Sequence, residues 1–221
     1  MNKKFLPGEI ILDNSDKIFT YGTGTIENKN MIKSTVYGHI KRHNKLIIAD
    51  SLFNFRYKAN IGDVIIGKIT EIYNKKWKVD CNSINEATLS LGSVILPGVV
   101  QRIKGDEDEM EMRNLFSIGD LVVCEVQKVN KNGSFNLHTR SEKYGKLQNG
   151  FSMKIPTALI KKDKSFFKFD NFTVIVGSNG IIFLSTTDEY EKIAKIHREI
   201  KENVKNKKII DFNLFFTDIP I

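Results

Sequence analysis

Cysteine is almost missing from this chain of 221 residues. The two that occur, Cys81 and Cys124, lie far apart and neither has a CxxC partner. That spacing argues against a zinc site and against a disulfide framework, and a reducing intracellular compartment is the simplest expectation. Long apolar runs are also lacking, so no segment reaches the length of a membrane span. The stretch Met1 to Gly8 carries Lys3 and Lys4 but no apolar region behind them, and no secretory signal is expected there.

Arginine is scarce too: Arg42, Arg56, Arg102, Arg113, Arg140 and Arg198 are the only ones, so lysine supplies nearly all the cations. The formal net charge is +8 and the sequence pI about 9.3, which favours a polyanion as partner. Lysine is a hydrated point charge, whereas arginine offers a planar fork to base edges. The bias points to phosphate-backbone contact more than to base reading. Acid–base machinery is not assembled either. His39, His43, His138 and His197 are scattered, with no HExxH and no GxSxG.

What is present is mostly β pattern. Hydrophobic residues make up 41% of the chain, enough for ordinary cores, and the length suits two or three small domains. Short β-prone runs at 10–12, 18–21, 36–40 and 46–48 predict a small β unit, with a polar turn at 42–45. Residues 53–60 read as a connector. Gly62-Asp63 then launches a long strand from Val64, and Asn74-Lys75 turns into the alternating Lys76-Trp77-Lys78-Val79-Asp80. A third strand is expected near 86–91, a charged loop and short helix over 102–113, a fourth strand from Leu121 and a fifth from Ser134 behind Asn132-Gly133. Five strands with one helical interruption before the fourth fit an OB-type barrel. Beyond Leu147, Pro156 to Lys162 reads as a short helix. Phe172–Val176 and Ile181–Leu184 read as strands joined by Gly177-Ser178-Asn179-Gly180. Ile193, Ile196, Ile200 and Val204 mark one stripe of an amphipathic helix, making a compact α+β region.

Four constellations carry candidate chemistry. Lys75, Lys76 and Lys78 surround the sole tryptophan, Trp77. An exposed indole would stack a base while lysines take phosphates. Alternation, however, sends Trp77 to the face opposite Lys76 and Lys78, and a core-facing indole would end that reading. Arg102, Lys104 and Arg113 flank the acids Asp106 to Glu111; they form either an RNA-contacting loop or a solvated one with weak local ion pairs. The same acids permit a metal-nuclease reading, although consecutive acids cannot all converge on one ion and only Glu107 and Glu111 stand four apart on a helical face. His138 and Arg140, ending the fifth strand, suit an RNA contact at the rim or packing between domains. Gly177, Ser178, Asn179 and Gly180 fit GxxG, a backbone-clamping signature of KH domains. Apolar strands on both sides make a structural turn with positive φ the better reading.

Taken together, these segments resemble the ribosomal-RNA-processing protein 4 family, cap subunits of the RNA exosome. The matching residues include Asn44 to Ile47, Gly62-Asp63, Gly67 to Glu71, Trp77 to Val79, Asn82-Ser83, Leu96-Pro97-Gly98, Met112-Arg113, Gly119 to Leu121 and Glu125 to Gln127. Leu137 to Leu147 is the nearest match, followed by Gly177 to Gly180, and Asn82-Ser83 with Leu96-Pro97-Gly98 look more eukaryotic than archaeal. The resemblance implies a mainly β chain with an α+β part in three domains. These are a small N-terminal β domain (1–55), an S1-type OB-fold barrel that binds RNA (56–142) and a KH-like domain (143–221).

It also implies no catalysis, no cofactor and no metal. Such a subunit would sit with other S1/KH cap subunits on a ring of RNase PH-like subunits. It would help assemble that ring and guide RNA 3′ ends into the central channel, in nucleus, nucleolus and cytoplasm, with no membrane contact. The RNA-binding residues expected on this basis are Lys75, Lys76, Trp77, Lys78, Arg102, Lys104, Arg113, His138 and Arg140. Fewer cations follow the Leu-Pro-Gly turn than the family usually has, implying weaker channel-side affinity. Little is expected beyond the KH-like domain for recruiting further partners. The alternatives are a free-standing S1/KH RNA-binding protein and, third, a metal-dependent ribonuclease.

Overall fold

The computed structural model describes residues 4–51, 56–95, 112–169, 171–186, 190–206 and 208–218. It divides into two compact units, Met1–Asn54 and Phe55–Ile221. The first holds strands β1 (Lys4–Phe5), β2 (Ile10–Asp13), β3 (Thr20–Tyr21), β4 (Thr25–Asn28), β5 (Met31–Ser34), β6 (Gly38–His43) and β7 (Leu46–Ser51). They form two sheets, β1-β6-β7-β3 and β2-β5-β4. Buried Thr25 ties one to the other, its hydroxyl lying 3.1 Å from the Ile47 carbonyl oxygen. The β4–β5 hairpin is not among the strands expected from sequence. Its turn, Lys29-Asn30, takes positive φ at both residues (49° and 59°) without a glycine, so the usual Asn-Gly signal is missing.

The second unit begins with the barrel: β8 (Val64–Tyr73), β9 (Lys76–Asp80), β10 (Ala87–Val94), α1 (Met112–Leu115), β11 (Leu121–Val129) and β12 (Phe135–Thr139). The order is β12-β10-β9-β8-β11, and β11 pairs again with β12, so the sheet closes. This is the OB-type barrel expected from the strand pattern, with its helical interruption in front of β11. Strict alternation in β10 and β12 sends Ala87, Leu89, Leu91, Phe135 and Leu137 inward.

The carboxy-terminal part holds β13 (Gly145–Lys146), β14 (Gly150–Lys154), β15 (Ile160–Lys161), β16 (Phe166–Lys168), β17 (Phe172–Val176), β18 (Ile181–Thr186), α2 (Tyr190–Lys205), β19 (Ile210–Asp211) and α3 (Phe212–Asp218). The expected helix over Pro156 to Lys162 is instead one 3-10 turn, Thr157–Leu159, running straight into β15. Ile160 is extended because β15 pairs in parallel with β19. The sheet β14-β18-β17-β16 is covered on both faces. Val174, Val176, Ile182 and Leu184 meet Ile193, Ile196 and Ile200 of α2. Ile175, Ile181 and Phe183 meet Ile66 and Val123 of the barrel, with Tyr144 and Leu147 alongside. That second contact explains why β8 and β11 each carry runs of consecutive buried residues, Ile65-Ile66-Gly67 and Val122-Val123-Cys124, where one-sided strands alternate.

Lys162 lies beside this junction, donating to the Val176 carbonyl and to Ser165 Oγ (2.9 Å). Burial pushes its ammonium down to about 8, against the opposing pull of the Asp63 charge. The unfolded lysine keeps its proton to about pH 10.4. Between pH 8 and about 10.4 the unfolded state therefore binds more protons, and stability contributed by this group rises with pH. Urea midpoints measured from pH 7.5 to 10 should show this rise in the parent and a flatter profile in Lys162→Met. Parallel profiles would mean that the ammonium is hydrated rather than buried.

Candidate nucleic-acid interface

The β8–β9 hairpin turns at Asn74-Lys75, both with positive φ (43° and 59°). A two-residue turn fixes the register, and the cross-strand rows follow from it. Tyr73, Lys76 and Ser90 form one row, Ile72, Trp77 and Leu89 the next, and Glu71, Lys78 and Thr88 the third. The middle row faces inward. Trp77 is 0% exposed, donates its indole N–H to the Phe116 carbonyl at 3.0 Å and meets the Phe116 ring edge-on at 5.3 Å between centroids. The expectation that Trp77 contacts RNA is therefore corrected: a ring inside the barrel core, with its one donor satisfied, has no face to offer a base.

Lys78 points outward, but between Glu86 (3.1 Å) and Glu71 (3.5 Å). Its ammonium is held above the ordinary lysine range, chiefly by the hydrogen bond to Glu86 and then by the Glu71 charge. Its charge is largely balanced where it stands, so it brings little free attraction for a phosphate. Lys76 is exposed and makes no ion pair with any described residue. Lys75 is half-buried, and its carbonyl accepts the Leu91 N–H at 2.9 Å.

The strand pairings carry further cations to the same end of the barrel. Val94 pairs with Thr139, and β12 runs parallel to β8 in the barrel, so Arg140 leaves β12 at the same end as the β8–β9 turn. The Trp77–Phe116 contact seats α1 there, and with it exposed Arg113. Lys75, Lys76, Arg113 and Arg140 are thus brought to one end. Arg102 and Lys104, like the acids Asp106 to Glu111, lie outside the described residues, in the segment between β10 and α1.

His138 is not part of that gathering. Its Nδ1 accepts the Arg140 N–H at 3.3 Å, its Nε2 is 4.0 Å from Glu125 Oε1, and its ring meets Tyr144 edge-on. Burial lowers its affinity for a proton, opposed by the Glu125 charge. Tyr144 donates to the same glutamate at 2.7 Å. These contacts with Glu125 and Tyr144 are the packing that the sequence allowed for His138 beside the RNA contact expected of it.

Tyr73 escaped the sequence reading. It is 40% exposed, directly across from Lys76. The signal was available, because residues flanking a two-residue turn are obligatory cross-strand partners on one face.

The Gly177–Gly180 turn is committed to the protein itself. Asn179 is 0% exposed and donates through Nδ2 to the carbonyls of Ile66 (2.6 Å) and Cys81 (2.8 Å), while its Oδ1 accepts the Ile66 N–H at 3.3 Å. The Ser178 N–H donates to the Val64 carbonyl at 2.8 Å. Gly180 has φ +84°, and a Cβ there would stand 2.3 Å from the Ile155 carbonyl oxygen, so only glycine fits.

Comparison with known proteins gives this geometry its context. Residues 56–128 match the family model described as RRP4, S1 domain. The exosome complex component RRP4 of Mus musculus is 37% identical over 221 residues, covering 93% of this chain and 74% of that protein. This chain belongs to the RRP4 family. The exosome complex component rrp4 of Schizosaccharomyces pombe is 40% identical over 204 residues, 90% of this chain. The chain spans 61% of the length of that fission-yeast relative. An archaeal RRP4-family member, from Methanosphaera stadtmanae, is 26% identical over 218 residues, 95% of this chain and 90% of its own. The eukaryotic relatives are thus nearer, in line with the residues that looked eukaryotic. Within the RRP4 family frame, strands β8 to β12 are the S1-type barrel, and Lys75, Lys76, Arg113 and Arg140 stand at one of its two ends.

Proposed function

We propose that this chain is a non-catalytic RNA-binding subunit of an RNA exosome. It takes a cap position there, helps to hold a ring of RNase PH-like subunits together, and guides RNA 3′ ends into the central channel. The observation that carries the reading is the convergence of Lys75, Lys76, Arg113 and Arg140 at one end of an S1-type barrel in an RRP4-family chain. Lysines and arginines at loop ends, with one exposed tyrosine beside them, suit mobile contact with phosphate backbone better than a tight base-specific site. The three-domain division at 1–55, 56–142 and 143–221, with a KH-like third domain, belongs to this proposal. So do the RNase PH-like and S1/KH partners and the nuclear, nucleolar and cytoplasmic location.

The test is binding of labelled single-stranded RNA across a salt series. Changing Lys75, Lys76 and Arg140 together to Glu should weaken binding and reduce the slope of log affinity against log salt by about two, at roughly 0.7 for each phosphate no longer neutralised. Lys78→Met combined with Glu71→Gln should change it little, because the lysine is removed together with one of the two acids that balance its charge, leaving the local charge as it was. An unaltered slope in the triple variant would move the RNA surface off this end of the barrel. Native purification at gentle salt tests the assembly, and failure to recover RNase PH-like subunits would favour a free-standing binder. RNA turnover by the purified chain with magnesium or phosphate, abolished by Glu107→Ala, would overturn the non-catalytic reading.

A further inference from the structure

Exposed aromatic rings are few in the second unit. Among its described residues the large hydrophobic side chains that stand exposed include only three aromatics: Tyr73, Phe151 and Tyr190. Tyr73 belongs to the barrel surface already discussed. Phe151 (42% exposed) and Tyr190 (70%) line one cleft of about 490 Å³ between the outer strand β14 and α2. Leu184 and Ile193 form its apolar floor, and Asn149 and Thr186 bring polar atoms to it. A buried cluster would not leave two rings in water, and an ordinary solvated surface would not gather them.

The helix extends the cleft in one direction. Residues seven and eleven positions after Tyr190 return to within about 20° of it on a helix of 100° per residue, so His197 and Lys201 lie on the same stripe. His197 meets the Phe151 ring edge-on, 5.6 Å between centroids, and fixes its orientation. Lys201 is exposed and makes no ion pair with any described residue. Arg198, Lys201 and Lys205 border a neighbouring hollow on the helix, together with Glu202 and Val204. From Tyr190 to Lys201 the rise is about 16 Å, a span of two or three extended nucleotides. Asn149 makes no side-chain hydrogen bond with a described residue, so its amide is available to a base edge. Thr186 is less so, because its hydroxyl already donates to the Asn171 carbonyl at 3.1 Å.

We propose that this cleft is a second nucleic-acid site, in which a short single-stranded RNA segment stacks an unpaired base on Tyr190 and Phe151 and lays its phosphates along His197 and Lys201. The proposal rests on the RNA-binding reading of the chain and adds a site outside the barrel. It does not involve the Gly177–Gly180 turn, whose side chains and backbone are spent on the barrel. The occupant is RNA rather than an acidic peptide because the solvent-facing features are ring faces and an amide beside cations, the combination that holds splayed bases.

The experiment uses the full chain with a labelled single-stranded oligonucleotide of about twenty residues carrying 4-thiouridine. Ultraviolet cross-linking followed by mass spectrometry should place adducts on Tyr190 or Phe151 in addition to the barrel. Tyr190→Ala, an exposed position that folding does not depend on, should weaken binding about fivefold or more, as loss of one stacked base does. Its salt slope should stay at the parent value, whereas Lys201→Glu should lower that slope by about 0.7. Tyr190→Phe should restore the affinity, since it keeps the ring face.

If the parent binds RNA and Tyr190→Ala binds equally well, with adducts on the barrel alone, the cleft is overturned and the barrel reading stands. If the parent binds no RNA under any salt, the broader reading falls and takes this one with it. Should Tyr190→Ala keep its RNA affinity but lose a protein partner on native purification, the cleft is a peptide site, and the inference is wrong.

Discussion

Changing Asn179 to Asp should be among the most damaging single substitutions in this protein, costing about 3–5 kcal/mol of stability. The amide donates both its protons to backbone carbonyls of the barrel, Ile66 and Cys81, from a fully buried position. A carboxylate of the same shape would set one negative oxygen, in place of the amide nitrogen, against both carbonyls with no water to screen it, while its other oxygen still accepts the Ile66 N–H. Asn179→Ala should cost less, about 2–4 kcal/mol, since it strands the two carbonyls without adding a charge. Urea denaturation of both variants decides the matter. If Asp is no worse than Ala, water reaches the site, and the turn is less tightly seated than its hydrogen bonds indicate.

Trp77→Ala should rank beside it. A fully buried indole removed from the centre of the barrel leaves a cavity that its neighbours Ile72, Leu89 and Phe116 fill only in part, and such changes cost about 3–5 kcal/mol. Trp77→Phe is the informative partner variant. It keeps most of the volume and loses the N–H donated to Phe116, a loss of about 1 kcal/mol. RNA affinity of Trp77→Phe should equal that of the parent, because the ring never meets solvent. A clear drop in affinity of the folded variant would restore the stacking role that the structure removes. The sole tryptophan of the chain also reports on its own surroundings: its emission should be blue-shifted in the folded protein and move to the red in urea.

The barrel was readable in the sequence because each signal was local. Gly62-Asp63, Asn74-Lys75 and Asn132-Gly133 mark turns, and the stretches between them are β-prone, alternating in Lys76 to Asp80. The Ile193, Ile196 and Ile200 stripe likewise announced α2 without outside information. Where contacts are made between distant segments, the sequence offered less. Pattern allowed Trp77 either face in principle, and the barrel's closure decided it. Nothing near Asn179 says that its amide reaches residues 98 and 113 positions away. The Gly-rich spacing suggested a turn, while the side chain between the glycines holds it to the barrel. Phe151 and Tyr190 passed unnoticed for the same reason: they are far apart in the chain, and only packing of α2 on the sheet sets them side by side.

The candidate cations show a different limit. Lys76 and Lys78 read alike in sequence, two residues apart on one face. Glu71 and Glu86 distinguish them, one across the β8–β9 pair and one just ahead of β10, and neither is adjacent to the lysines. A count of positive charges therefore overstates the attraction that a phosphate would feel.

The sheet covered by the barrel on one side and by α2 on the other has a consequence for how the second unit comes apart. Neither covering layer can leave without exposing Ile175, Ile181 and Phe183 or Val174, Val176, Ile182 and Leu184 to water. The layers therefore open as one cooperative block, and the amides of β17 and β18 should be the last in that unit to exchange with deuterium. A lesion in the barrel core would accordingly register as faster exchange in α2, on the far side of a sheet it does not touch.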